Sequence, residues 1–422
     1  MRRRTLGRRV APAALICGLL CTGAARAEGT VVLLLFDGFS GPMTELADTP
    51  ALDRMRREGA WSHGLVPAFP TISLINGVTV STGCWPEHHG IVTNLFLDPE
   101  RGRYDHDSDA DWLTGCEHLH QAAERQNVRA AAMGWYGARS GSRGALASWV
   151  GEDVRCGPRL EDSVRHDARR SERIVELLAR GPGGPRLILG YFCGPDGAAH
   201  FRGLDGEELP GEVARADAIV GRILQAIEAR PDADQVTLLV TTDHGMREIS
   251  HLVNIRRILR SEEIPARPVS SGTTSFLYFE DGADVDAAAR ALSRYDEFEV
   301  LRRDALPGYA HLGTGPRVGQ LVVSAKPPYF IEDTEMWPSY LRWLGDYGPK
   351  FIWARFSLRA THGYPPDVEG MDGIVYAWGR GVANGKRAGR ILNVDLHPTA
   401  AHLLGIEPGA PVDGSLNRDL LE

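Results

Sequence analysis

The chain has 422 residues, 43% hydrophobic and 24% charged. That composition is globular and excludes a disordered or fibrous chain. With 47 basic against 55 acidic residues the formal charge is −8, so no basic nucleic-acid-binding surface is expected.

The first predicted element is a leader. Arg2, Arg3, Arg4, Arg8 and Arg9 form a basic head, an apolar stretch runs from Val10 to Ala25, and Ala25-Arg26-Ala27 offers a small-residue cleavage site. This predicts a secretory signal over 1–27 and an exported protein, periplasmic or secreted. The apolar run is short for a membrane span, so no stable membrane insertion is expected. The leader holds six arginines and no acid, which leaves the mature chain with 41 basic and 55 acidic residues, a charge of −14. Beyond the leader the cysteines are Cys84, Cys116, Cys156 and Cys193. An oxidising compartment allows two disulfides in any of three connectivities, and four buried thiols are the alternative.

In chain order, Val31 to Phe36 is an apolar run that ends in Asp37-Gly38. An amphipathic helix is predicted over Thr49 to Glu58. Pro70-Thr71-Ile72-Ser73 then leads into an apolar stretch, Val78 to Thr82, that reads as a helix. A serine at a helix start is ordinarily an N-cap. The same position also favours an alkoxide or a bound phosphate, and a metal would lower the hydroxyl pKa further. Ser73 is thus a candidate nucleophile, with Thr71 as competitor. Helices over Asp167 to Ala179 and Glu212 to Ala229 alternate with two more apolar runs. Leu187 to Phe192 leads to Pro195-Asp196, and Val236 to Val240 leads to Asp243-His244-Gly245. Runs this short and apolar on both faces are buried parallel strands, and the alternation predicts a parallel sheet covered on both sides. Ligands bind beyond the carboxyl ends of such strands, where all three acids fall. Asp196 and His200 are four residues apart, Asp243 and His244 are adjacent, and His362 follows in a loop. Mixed carboxylate and imidazole donors suit zinc. His88 and His89 read as structural.

From about 265 to 358 the order of motifs is interrupted. Strand-like pieces (Ser275 to Phe279, Phe298 to Leu301, Leu321 to Ser324), a helix near Val285 to Ser293 and an aromatic cluster (Tyr329, Phe330, Trp337, Tyr340, Trp343) predict an inserted subdomain with its own core.

Together these segments resemble the nucleotide pyrophosphatase/phosphodiesterase family of the alkaline phosphatase superfamily. The matching motifs are Phe36-Asp37-Gly38; Ser73-Leu74-Ile75-Asn76; Thr82-Gly83-Cys84-Trp85-Pro86-Glu87-His88-His89-Gly90-Ile91; Tyr191 to His200; Thr242-Asp243-His244-Gly245-Met246; Thr361-His362-Gly363-Tyr364; and Asp413-Gly414-Ser415-Leu416. The resemblance implies an α/β fold: an alkaline-phosphatase-like three-layer α/β/α sandwich with a mostly parallel central sheet and a smaller inserted α+β subdomain. Residues 28–422 would form the catalytic domain and 265–358 the insertion. It implies two zinc ions per chain, one held by Asp196, His200 and His362, the other by Asp37, Asp243 and His244 with Ser73. Ser73 would be the nucleophile and Asn94 would bind a phosphate oxygen. Serine replaces the usual threonine, Leu74-Ile75 replaces Phe-Pro, and Ala199 stands where glycine is usual.

The expected activity is an exported two-zinc phosphodiesterase or nucleotide pyrophosphatase acting through a phosphoseryl intermediate on a small phosphodiester or nucleotide. The stretch Trp135-Tyr136-Gly137 resembles the diesterases' Trp-Pro-Gly and would supply an aromatic wall, with Trp135 and Tyr136 as plain core residues the alternative. Arg139 within reach of a phosphate would instead favour a phosphomonoesterase or phosphonate hydrolase. A sulfatase is not expected, because Ser73 is not followed by x-Pro-x-Arg. A catalytically dead secreted zinc-binding protein is the alternative from another class. Oligomeric state and leaving group are not read from the sequence.

Overall fold

A computed structural model of the protein describes residues 29–105, 112–139, 144–152, 156, 159–332 and 358–422. The predicted leader lies outside the described residues, as do Trp337, Tyr340 and Trp343 of the aromatic cluster.

The strands of the main sheet are β1 (Thr30–Phe36), β2 (Ala60–Val66), β5 (Ala130–Met133), β6 (Trp149–Val150), β7 (Leu187–Phe192), β8 (Val236–Thr242), β17 (Gly373–Gly379), β18 (Lys386–Arg387) and β19 (Ile391–Leu392). Their order is β18-β2-β17-β8-β1-β7-β5-β6, with β19 also on β2. β1 lies parallel between β7 and β8 (Leu33 opposite Leu189 and Leu239). β17 runs against both β8 and β2, so the sheet is mostly parallel with one reversed strand.

The β1 sequence dictates this central place. Successive side chains point to opposite faces, and both faces are covered. Val31, Leu33 and Leu35 join the core under α4 (Leu119–Arg125) and α10 (Leu396–Leu404). Val32, Leu34 and Phe36 join the core under α1 (Pro50–Glu58), α5 (Leu160–Leu178) and α7 (Leu209–Glu228). The result is the expected α/β/α sandwich. Helix α5 starts at Leu160, ahead of the predicted Asp167, because its charged first turns hide the periodicity. Asp217 of α7 caps α1 from outside, accepting from the Ala51 and Leu52 N–H groups at 3.2 and 2.8 Å.

Two short pairings close the 247–361 stretch on itself: β9 (Arg247–Glu248) with β16 (Ala360–Thr361), antiparallel, and β10 (His251–Asn254) with β15 (Tyr329–Glu332), parallel. Between them, β11 (Ala266–Ser271), β12 (Thr274–Phe279), β13 (Phe298–Arg302) and β14 (Leu321–Ala325) form an antiparallel sheet in the order β11-β12-β14-β13. Helices α8 (Ile255–Ser261) and α9 (Val285–Leu292) share a core with it. A hairpin, β3 (Leu95–Asp98) with β4 (Gly102–Asp105), packs against this sheet, Phe96 and Tyr104 sharing a core with Phe276 and Val322. The cysteines pair as Cys84–Cys116 and Cys156–Cys193. Among the described residues no helix is long and apolar enough to cross a membrane.

Candidate active site

The three acids that follow the strands meet at one place. Asp37 continues the ladder past β1, its N–H donating to the Phe192 carbonyl at 2.9 Å. Gly38 then turns away with φ +65°, and a Cβ there would sit 2.9 Å from the Asp196 Cβ. Only glycine allows the first and second acids to approach so closely. Asp243 Oδ1 accepts from the Gly38 N–H (3.0 Å), the His244 N–H (2.9 Å) and the Thr242 hydroxyl (3.2 Å). Its Oδ2 is buried without a partner. Asp196 opens α6 (Asp196–Arg202), and His200 follows one turn later on the same face.

The three histidines share a hydrogen-bonding pattern. His200 Nδ1 faces the Ala360 carbonyl at 2.8 Å, His244 Nδ1 the Gly245 carbonyl at 2.8 Å, and His362 Nδ1 the Thr71 carbonyl at 2.8 Å. A carbonyl only accepts, so each Nδ1 carries the hydrogen and each Nε2 presents a lone pair. Those lone pairs converge. His200 Nε2 is 3.1 Å from His362 Nε2 and 3.3 Å from Asp196 Oδ1, which itself is buried without a hydrogen-bond donor. His244 Nε2 is 3.4 Å from Asp37 Oδ1, and its ring stacks on that of His362 at 3.6 Å between centroids. Acceptors facing acceptors at these distances repel unless a cation sits among them. Imidazoles anchored through Nδ1 to carbonyls, with Nε2 turned inward, have the arrangement of metal ligands. Two groups of donor atoms lie within 4.8 Å of one another, Asp196, His200 and His362, and Asp37, Asp196 and His244. Asp243 adjoins the second group, its Oδ1 3.8 Å from His244 Nε2.

The titrating groups of the cluster act strongly on one another. Burial, then the charges of Asp196 and Asp243, drive the Asp37 carboxyl well above its ordinary range. Burial, then His244 and His200, push the His362 imidazole well down. Burial opposes protonation of His200, but neighbouring Asp196 overrides it and raises that pKa.

Ser73 is the first residue of α2 (Ser73–Thr82), and the cap position is Ile72. Its hydroxyl therefore makes no cap. It donates to Asp37 Oδ1 at 3.1 Å and lies 3.0 Å from His244 Nε2. The competing Thr71 is fully buried and otherwise engaged: its hydroxyl donates to the Tyr364 carbonyl and accepts the Gly363 N–H, both at 2.9 Å. It latches the His362 loop to the start of α2. Asn76 fastens the same start from within, donating to the Ile72 carbonyl at 3.0 Å and accepting from the Ala68 N–H at 2.6 Å.

The other residues singled out in the sequence have settings of their own. Asn94 is in the loop after α3 (Pro86–His89), with its Oδ1 buried and unpartnered. Trp135 is a core residue, its indole N–H donating to the Ser81 hydroxyl at 2.9 Å, so it is no substrate wall. Arg139 donates to the Gly151 carbonyl at 3.0 Å. His89 is buried beside the Thr79 hydroxyl, and His88 pairs with Asp413 at the surface.

Three supports of the site went unnoticed in the sequence. The Tyr191 hydroxyl donates to Asp37 Oδ2. Thr71 holds the His362 loop. Asp167 and Arg170 of α5, both almost wholly buried, hold the turn before Asp196: Asp167 accepts from the Cys193 N–H at 2.8 Å, and Arg170 donates to the Tyr191 carbonyl at 3.2 Å. Tyr191 was visible only as part of a motif. Asp167 marked only the start of a predicted helix, and nothing in the sequence singled out Arg170.

A helix-borne hydroxyl among acids and imidazoles, at the carboxyl ends of a parallel sheet, is the layout of a hydrolase. The model of the type I phosphodiesterase/nucleotide pyrophosphatase family matches residues 31–365, and the chain belongs to that family. It is 25% identical over 411 residues to an uncharacterised pyrophosphatase/phosphodiesterase of Schizosaccharomyces pombe, covering 92% of this chain and 79% of that protein. It is 24% identical over 436 residues to the bis(5'-adenosyl)-triphosphatase enpp4 of Xenopus laevis, covering 97% of this chain and 86% of that one. In fold it is similar to murine ectonucleotide pyrophosphatase/phosphodiesterase 5, an inactivated form of which was solved with AMP. The TM-score is 0.80 at 21% identity, covering 94% of this chain and 100% of that one.

Proposed function

We propose that the chain is an exported two-zinc phosphodiesterase or nucleotide pyrophosphatase that cleaves phosphodiester or phosphoanhydride bonds through a phosphoseryl intermediate. The observation that carries this reading is the Ser73 hydroxyl, 3.1 Å from Asp37 Oδ1 and 3.0 Å from His244 Nε2 at the first turn of α2. The donor set fits zinc, because lone pairs and unpartnered carboxylate oxygens face one another. Asp196, His200 and His362 would hold one ion, and Asp37, Asp243, His244 and Ser73 the other. Bound zinc would supply Lewis-acid polarisation of phosphoryl oxygens and a lowered hydroxyl pKa.

The chain's own residues do the rest. Asp37 Oδ1 takes the Ser73 hydrogen bond and fixes where Oγ points. Ser73 Oγ gives its proton up to solvent and attacks phosphorus, forming the O–P bond of a phosphoserine as the bond to the leaving oxygen breaks and that oxygen takes a proton from solvent. The amides at the α2 N-terminus favour the charge that gathers there. Asn94 would donate its amide to a non-bridging oxygen. Water then attacks the phosphoserine phosphorus, the P–Oγ bond breaks, and Oγ recovers a proton from that water. The Arg139 contact with Gly151 favours diesters over monoesters, since a monoester would call on a second cation. The likeness to a bis(5'-adenosyl)-triphosphatase favours nucleotides. Two disulfides suit the oxidising compartment that the leader implies.

The test is Ser73→Ala in zinc-loaded protein. It should keep its zinc and lose turnover of bis-p-nitrophenyl phosphate by at least about 10³-fold. A near-parental rate would remove Ser73 as nucleophile, and faster cleavage of p-nitrophenyl phosphate than of the diester would remove the diesterase reading.

A further inference from the structure

The three carboxylates are not held alike. Asp243 has Oδ1 loaded with three donors and Oδ2 left over. Asp196 has Oδ1 buried without a donor. Asp37 is split between two tasks: Oδ1 takes the Ser73 hydroxyl at 3.1 Å and lies 3.4 Å from His244 Nε2, while Oδ2 takes the Tyr191 hydroxyl.

Tyr191 is well placed for this. It lies on β7 directly opposite Leu35 of β1, two residues before Asp37, and is 2% exposed. Its hydroxyl also meets the Tyr136 hydroxyl, and the two rings pack edge to face at 5.2 Å. The Cys156 sulfur closes the remaining side, 3.7 Å from the Tyr191 oxygen. Tyr136 in turn lies flat on α2 at Gly77, where a Cβ would come within 2.0 Å of its ring. The phenol is therefore wedged between the nucleophile helix and the sheet.

A carboxylate offers a metal two oxygens and can swing between one-oxygen and two-oxygen binding. A donor fixed on one oxygen removes that freedom. We propose that Tyr191 is a positioning residue: its hydroxyl holds Asp37 Oδ2, which confines Asp37 to binding metal through Oδ1, the oxygen beside Ser73. Tyr136 acts behind it by fixing the phenol. This rests on the two-zinc reading above. Outer partners of ligands are worth roughly 10- to 100-fold in metal affinity.

The experiment measures zinc binding, by chelator competition and by metal analysis after dialysis, in the parent, Tyr191→Phe and Tyr136→Phe. The expected result is two zinc ions in the parent and one of them bound about 10-fold or more weakly in Tyr191→Phe. The other ion keeps its affinity. Tyr136→Phe should weaken the same ion by a smaller factor, and it carries the test if Tyr191→Phe does not fold. In Tyr191→Phe, kcat/KM should recover when zinc is raised to saturation, less whatever Ser73 loses in alignment. A parent that binds two ions together with a Tyr191→Phe that binds both as tightly overturns the positioning role and leaves the function intact. A parent that binds no zinc overturns both.

Discussion

Replacing Thr71 by valine tests how the His362 loop is held. Valine keeps the branched shape, so packing is preserved and only the hydroxyl is lost. The Gly363 N–H and the Tyr364 carbonyl, both in buried residues, then lose their 2.9 Å partners. Orphaning a buried backbone group costs about 1–3 kcal/mol, so the pair should cost roughly 2–4 kcal/mol after local relaxation. The bond from His362 Nδ1 to the Thr71 carbonyl is a backbone feature and survives. Zinc affinity should therefore fall less than stability does, by no more than about 10-fold. Urea unfolding of metal-free protein, followed by tryptophan fluorescence, reads the first quantity, and chelator competition reads the second. Thr71→Ser is the control and should remain within about 1 kcal/mol of the parent, since it keeps both bonds and loses one methyl. If Thr71→Val unfolded within about 0.5 kcal/mol of the parent, the hydroxyl would not be the latch described.

Two further outcomes follow from features away from the cluster. Burial pushes His397 and His120 down to about 4 and His89 to about 3. A folded pKa below the unfolded one gives stability that is complete above about pH 6.5 and drains away as pH falls towards 4, at about 2 kcal/mol per histidine by pH 5. Urea midpoints at pH 7.5 and pH 5 check this, with equal midpoints counting against it, and His397→Gln should flatten the dependence. The Cys84–Cys116 bond closes a loop with a separation of 32 residues, so removing both cysteines together should cost roughly 3–4 kcal/mol, measured by the same unfolding curve. A change under about 1 kcal/mol would mean that the cross-link constrains little in the unfolded chain.

The parts of the site that were legible in the sequence were those built from local pattern. β1, β7 and β8 are covered on both faces, so their apolar runs stood out, and the acids at their ends marked the sheet edge where Asp37, Asp196 and Asp243 meet. Asp196 and His200 could be paired because one helical turn separates them. What stayed hidden depends on contacts between distant segments. The reversal of β17 between β2 and β8 leaves no trace in Gly373–Gly379, which reads as any buried strand. Trp135 looked like a candidate substrate wall, yet its indole faces Ser81 in the core. Tyr191 and Thr71 carry hydroxyls whose direction is set by tertiary packing alone. Disulfide pairing, likewise, was a matter of which loops meet.

The reversed strand has a consequence for biosynthesis. β17 fills the gap between β2 and β8, so until about residue 379 has been made those two strands present unpaired edges. His362 arrives just before it, so the last imidazole and the strand that joins β2 to the rest of the sheet reach the folding chain together. A ribosome-bound polypeptide would have neither a continuous sheet nor a complete donor set, and its open edges would be the places where it sticks to other chains. Such a topology couples the acquisition of chemistry to the end of synthesis.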